Sequence, residues 1–210
     1  MSSLLDAILD HVPYDTITDT ELTTLLRGSA ASRHNQLKRA VAKGDLLHIR
    51  RGVYQLAKRY QRKPVNPYEL SQKIYGPSYV SFESALSFHG LIPEGVYSVA
   101  CASLKRSREF RTPLGVYAYK QIPKRVFYIG VDRVEKDTDV FLMAMPFKAL
   151  ADILFSRRLE GLSSHAFLES LRIDKQDLKI DPDDVQVLVR DYRSERVRQF
   201  FEELLKEVAL

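Results

Sequence analysis

Ser32, Asn35, Gln36 and Arg39 are spaced so that one helix face would present hydrogen-bonding groups of the kind that read base edges. Asn or Gln matches the edge of adenine, and Arg that of guanine. Lys38 and Lys43 flank this face and suit phosphate oxygens. Arg50 and Arg51 stand together just before Gly52. Two arginines at a hairpin tip can reach phosphates or an adjacent minor groove. The other reading of the same helix is a polar face that meets only water.

The charge distribution bears on that choice. The 210 residues carry a net charge of +5. From Arg27 to Lys63 there are eleven Lys and Arg against the single acid Asp45, so this segment is +10 and the remainder −5. A basic block beside an acidic remainder predicts that one part of the chain meets a polyanion and the other does not.

The elements that must hold these residues can be read in order. Leu4, Leu5, Ile8, Leu9 and Val12 recur at helical spacing, and Pro13 ends that helix. Thr18 and Glu21 form a capping-box pattern at the head of a second helix, whose buried face is Leu22, Leu25 and Leu26. A turn at residues 27–29 follows, with Ser29 as cap of a third helix that Gly44 closes. At about 100° per residue, Ala30, Leu37, Ala40 and Val41 face the core of that helix, while Ser32, Asn35 and Arg39 face away. Arg33 and His34 fall nearer the core side. Residues 46–50 alternate as a strand, Arg51-Gly52 turns, and 53–56 return. The order predicts a winged helix-turn-helix over residues 1–63 that binds double-stranded DNA.

Residues 58–68 mix basic side chains with Pro64 and Pro67, which predicts a stiff, solvated connection and a domain boundary. Residues 64–210 read as a larger α+β domain. Short helices are expected at 67–74, ended by Gly76-Pro77, and from Ser81 as cap through His89. Strand-like runs follow at 96–102, 115–121, 126–131 and 140–145, which predicts a mostly antiparallel sheet. The last third is helical. Its apolar faces, among them Val197, Phe200, Phe201, Leu204 and Leu205, are expected to bury against the sheet, the alternative being a terminal helix that docks on a partner.

Enzymatic signatures are weak. The five histidines are scattered, and neither a metalloprotease helix motif nor a glycine-rich phosphate loop is present, so no metal, cofactor or catalytic residue is assigned. Cys101 lies in an expected strand and reads as buried filler rather than a nucleophile. His89 is expected to meet the last carbonyls of its own helix. Asp174, Asp177 and Lys179 loosely approach a metal-dependent nuclease set, but their polar surroundings favour surface decoration. A start that carries Asp6 and Asp10 without Lys or Arg, one cysteine and no apolar run of membrane-spanning length together point to the cytoplasm and to no membrane.

Three stretches resemble the AbiEi-type antitoxins, transcriptional regulators of abortive-infection systems. They are residues 37–54 around Leu37-Lys38-Arg39-Ala40-Val41 and Ile49-Arg50-Arg51-Gly52-Val53-Tyr54, then residues 79–93, and residues 146–154. The last departs from the family at Phe147, where Glu is usual. The resemblance spans roughly residues 20–205. It implies a cytoplasmic bacterial antitoxin that represses its own promoter and counters a nucleotidyltransferase-type toxin without forming a stable complex with it. The alternative is a stand-alone winged-helix regulator whose second domain senses a ligand or dimerises, and a nuclease is the third reading.

Overall fold

The computed structural model describes residues 4–26, 28–93, 97–157, 163–178 and 182–208. Among them the chain is α+β, with two sheets and two hydrophobic cores.

The first core gathers α1 (Leu4–His11), β1 (Thr16–Thr18), α2 (Asp19–Leu25), α3 (Ala30–Ala42) and the hairpin of β2 (Leu46–Arg50) and β3 (Val53–Leu56). Ile8, Ile17, Leu22, Leu37, Leu46 and Leu56 fill it. Local chemistry sets the helix ends. The Glu21 carboxylate accepts from the Thr18 amide at 2.6 Å, and Ser29 Oγ accepts from the Ser32 amide at 3.2 Å. Ala30, expected in the core, sits exposed in the first turn of α3. Strand β1 is too short for an alternation signal. It pairs antiparallel with β3, making a three-stranded sheet in the order β1-β3-β2.

The second sheet has six strands: β4 (Ser78–Val80), β5 (Ser98–Ser103), β6 (Arg108–Thr112), β7 (Gly115–Gln121), β8 (Val131–Lys136) and β9 (Asp139–Ala144). Their order is β6-β7-β5-β4-β9-β8. The expected mostly antiparallel sheet is in fact mixed, because β5 runs parallel to β7 and β4 to β9. Those parallel pairs join strands whose connections pass through other elements, which strand periodicity alone does not reveal. The run at 126–131 is not a strand. It forms a helical turn ending at Val126 and then a bend through Gly130, which holds a φ of +64°. A Cβ on Gly130 would come within 2.8 Å of the Phe147 ring, so only glycine fits here.

Adjacent residues of a strand point to opposite faces. Tyr119 donates to the Ser71 carbonyl at 2.6 Å, so its face meets α4 (Pro67–Ile74). Tyr79 lies on the opposite face and meets α6 (Pro146–Ser156), beside α5 (Phe82–Phe88). Outside α6 pack α7 (Ser164–Ser170), α8 (Pro182–Tyr192) and α9 (Glu195–Val208). The apolar face of α9, with Val197, Phe200, Phe201 and Leu204, is buried within the chain against α6, α7 and α8 rather than directly on the sheet. Each such side chain contributes about 1.5–3 kcal/mol of burial.

The hairpin is a wall shared by both cores. Leu46, Tyr54 and Leu56 belong to the first, Ile49 and Val53 to the second. The connection that follows, expected to be solvated, is tied down instead. Arg62 pairs with Asp15 at 3.0 Å, and Lys63 pairs with Glu69 at 2.9 Å and also with Asp139. Burial works against the Lys63 charge, but its carboxylate partners outweigh it and raise the ammonium pKa above the ordinary lysine value.

Candidate nucleic-acid interface

Helix α3 buries Leu37 and Ala40 and leaves Ser32, Asn35, Lys38, Arg39 and Lys43 exposed, with Gln36 half-buried beside them. These six therefore share one outer surface. Ser32 and Gln36 touch each other, the Gln36 amide donating to Ser32 Oγ at 3.4 Å. The side chains of Asn35, Lys38, Arg39, Lys43 and Arg51 make no hydrogen bond or ion pair among the described residues.

A groove of about 660 Å³ separates this helix from the hairpin turn. Its walls carry Arg33, His34, His48 and Arg51. Arg33 is held by its hydrogen bond to the Gly28 carbonyl at 2.6 Å. His48 packs on Tyr54 with ring centroids 5.3 Å apart. The turn itself is fixed by the Asp19 amide, which donates to the Gly52 carbonyl at 3.0 Å. Gly52 has φ +79°, and a Cβ there would lie 2.7 Å from the Asp19 carboxylate. The groove also carries the Asp19 carboxylate, so its two arginines, Arg33 and Arg51, are what could seat a phosphate backbone while the helix meets base edges. Arg33, His34 and His48 were missed as groove residues because angular position on one helix says nothing about the hairpin facing it.

Arg50 departs from the arrangement expected of it. A bulge between His48 and Arg50 puts Arg50 opposite Val53, on the side of the hairpin that faces the second core. Its guanidinium stands 5.5 Å from the Phe110 ring centroid, and Nε is buried with no hydrogen-bond partner among the described residues. Arg108 covers the same ring at 5.5 Å. Strand β6 and the turn before it therefore continue the hairpin with further exposed cations, Lys105, Arg106, Arg108 and Arg111, of which Arg111 pairs with the one acid Glu109. The −5 of the remainder hid this strip.

The basic block thus resolves into two sets. Arg59 takes Asp45 at 2.8 Å, and Arg62 and Lys63 hold the connection; Lys38, Arg39, Lys43 and Arg51 make no ion pair among the described residues. Arg27 lies outside the described residues.

A second constellation is enclosed in the larger core. Lys148 and Asp152, one turn apart on α6, are both fully buried and paired at 2.9 Å. Asp152 also accepts from Tyr79 at 2.9 Å and from Ser81 at 2.6 Å, and it contacts the Tyr192 hydroxyl. Lys148 donates to Tyr192 at 2.7 Å. Burial pushes the Lys148 ammonium below the ordinary lysine value, although Asp152 opposes it. Burial and then the Asp152 charge push Tyr79 and Tyr192 well above theirs. Ser81, expected to cap α5 with its hydroxyl, turns it into this cluster instead. His89 likewise donates to the Ala144 carbonyl of β9 at 2.9 Å, not to its own helix. The cluster is closed to solvent, and its groups satisfy one another. The signal in the sequence was a Lys and an Asp at i, i+4 in an otherwise apolar helix.

Cys101 is buried in β5, and burial pushes its thiol up to about 12. Among the described residues, no three His, Cys, Asp or Glu side chains are grouped to hold a metal ion. Asp174 caps a short helical turn by accepting from the Gln176 amide at 3.0 Å, and Lys179 lies outside the described residues. Among the described residues, no helix is long and apolar enough to cross a membrane. No family model matches the chain, and no curated protein matches it.

Proposed function

We propose that the N-terminal unit is a winged helix that binds duplex DNA, with α3 in the major groove and the Arg51 turn on the backbone. The observation that carries this reading is the set of unpaired side chains, Asn35, Lys38, Arg39 and Lys43, on the exposed face of α3, with the equally unpaired Arg51 on the groove along the helix's other side. Every other described cation of that block except Arg33, Arg50 and Lys58 is held in an ion pair. The function is that of a transcriptional repressor of its own promoter. A gel-shift titration on the DNA upstream of the gene tests it: binding that weakens steeply with salt is expected, and no binding at low salt refutes it.

The antitoxin role, against a nucleotidyltransferase-type toxin, is supported by the resemblance of residues 79–93 and 146–154 to the AbiEi-type family. Those stretches supply Tyr79, Ser81, Lys148 and Asp152, which tie the sheet to α6. Rescue of cells arrested by the toxin encoded beside this gene tests it, and continued arrest with the repressor intact refutes it. The stand-alone regulator with a sensing domain is favoured by one observation, a cavity on the seam between the two cores.

A further inference from the structure

That cavity encloses about 540 Å³, within the range of small-molecule sites. Its walls come from both units: the loop between α1 and β1, strand β3, the connection at 62–66, helix α4 and the start of β9. Most charges around it are already paired. Arg62 holds Asp15, and Lys63 holds Glu69 and Asp139, with Asn66 donating to Asp139 at 2.7 Å.

Three features stay unmatched. Among the described residues Lys73 has no carboxylate partner, and its ammonium rests 5.1 Å from the Tyr14 ring centroid. Gln55 is 1% exposed; its carboxamide oxygen accepts the Thr16 hydroxyl at 2.6 Å, and its amide nitrogen has no acceptor among the described residues. Tyr14 and Val140, 54% and 40% exposed, leave two large apolar side chains uncovered in the same walls.

From these, we infer that the seam cavity binds a small organic monoanion, a carboxylate on an aromatic or branched apolar body, and that occupancy alters DNA affinity. The carboxylate pairs with Lys73, the body covers Tyr14 and Val140, and Gln55 donates to an acceptor of the ligand. A cationic ligand is disfavoured because Asp15, Glu69 and Asp139 are all in ion pairs, Lys63 serving two of them, and the cation without a carboxylate contact among the described residues is Lys73. A phosphate is disfavoured because one free ammonium and apolar walls serve a single charge better than two. The ligand needs no existing ion pair to break. Since its walls belong to both cores, its contacts differ between any two arrangements of those units, which is what coupling to DNA requires. The coupling rests on the DNA-binding reading, whereas the site itself does not.

The test uses the full chain and three probes, benzoate, phenylacetate and isovalerate, followed by NMR and calorimetry without DNA. At least one probe should bind at up to about 10 mM and perturb Tyr14, Gln55 and Val140. The neutral amide of that probe should bind about tenfold more weakly, as should the probe to Lys73→Met. Lys73→Met should lower the melting temperature by no more than about 4 °C, since the contact it loses is the one with the Tyr14 ring. Binding by none of the probes, or equal binding of acid and amide, overturns the site. Duplex affinity should then change by about threefold or more with the probe saturating; unchanged affinity overturns the coupling alone. A chain that binds the probe but no DNA overturns both the coupling and the DNA reading while leaving the site standing.

Discussion

The guanidinium of Arg50 stands over the Phe110 ring, joining the N-terminal hairpin to the edge strand of the larger sheet. Its neighbour Arg51 points out of the same turn with no partner among the described residues. Two consecutive arginines therefore have different work, and substitution separates them.

Arg51→Ala should weaken duplex binding about three- to tenfold near 0.1 M salt and flatten the slope of log K against log salt by about 0.9. Arg50→Ala should leave that slope unchanged and lower stability by about 1–2 kcal/mol through the lost ring contact. Salt titrations and denaturant melts on both variants distinguish them. An equal change of slope in the two would contradict the assignment.

Changing the exposed face of α3 should affect sequence preference rather than general affinity. Asn35→Ala and Arg39→Ala are each expected to lose about 1–3 kcal/mol of discrimination between the cognate site and one with a single base pair changed. Competition with mutated duplexes measures this directly.

The buried cluster predicts a strong asymmetry. Asp152→Ala strands the Lys148 charge in the core and should cost about 3–5 kcal/mol. Replacing both, Lys148→Met with Asp152→Leu, should cost less than the single change, because no uncompensated charge is left. Urea unfolding of the three variants is the check, and a double variant less stable than Asp152→Ala would refute the charge-stranding account.

Acid should loosen the seam at Asp139 only once the pH has fallen below the ordinary carboxylate range. Burial raises the pKa of this carboxyl, but Lys63 and Asn66 override it and hold it below the ordinary 3.8. Its stabilising contribution is therefore complete above the unfolded value and is lost as pH falls through the lower folded value. Lys63 has the opposite sign, its pKa being raised, so its share is present below 10.5 and is lost as pH climbs through the folded value. Asp139→Asn should flatten the acid limb of a stability-against-pH curve below about pH 4 while leaving α3 and its groove unchanged.

Cys101 should resist thiol reagents in the native protein. Its burial and a thiol pKa of about 12 leave almost no thiolate at neutral pH. Labelling by a disulfide reagent is expected only at the rate of unfolding, and rapid stoichiometric labelling would count against this placement.

Much of the N-terminal unit was legible along the chain, because its signals are local. Thr18 with Glu21, Ser29 and Gly44 mark helix ends by chemistry confined to one turn, and Leu37 with Ala40 phases α3. The exposed set Ser32, Asn35, Lys38, Arg39 and Lys43 follows from that phase, since one apolar stripe determines where every other side chain of a helix points. What the tertiary structure decided depends on contacts distant in sequence. One extra residue at Ile49 turned Arg50 to the other face of its strand, since strand periodicity is two and a bulge resets it. The parallel pairing of β5 with β7, the meeting of Ser81 with Asp152 and the cavity between Gln55 and Lys73 likewise join residues whose proximity no local pattern encodes. Polar groups buried there must find partners wherever the fold brings them, and only the packed chain shows which ones they find.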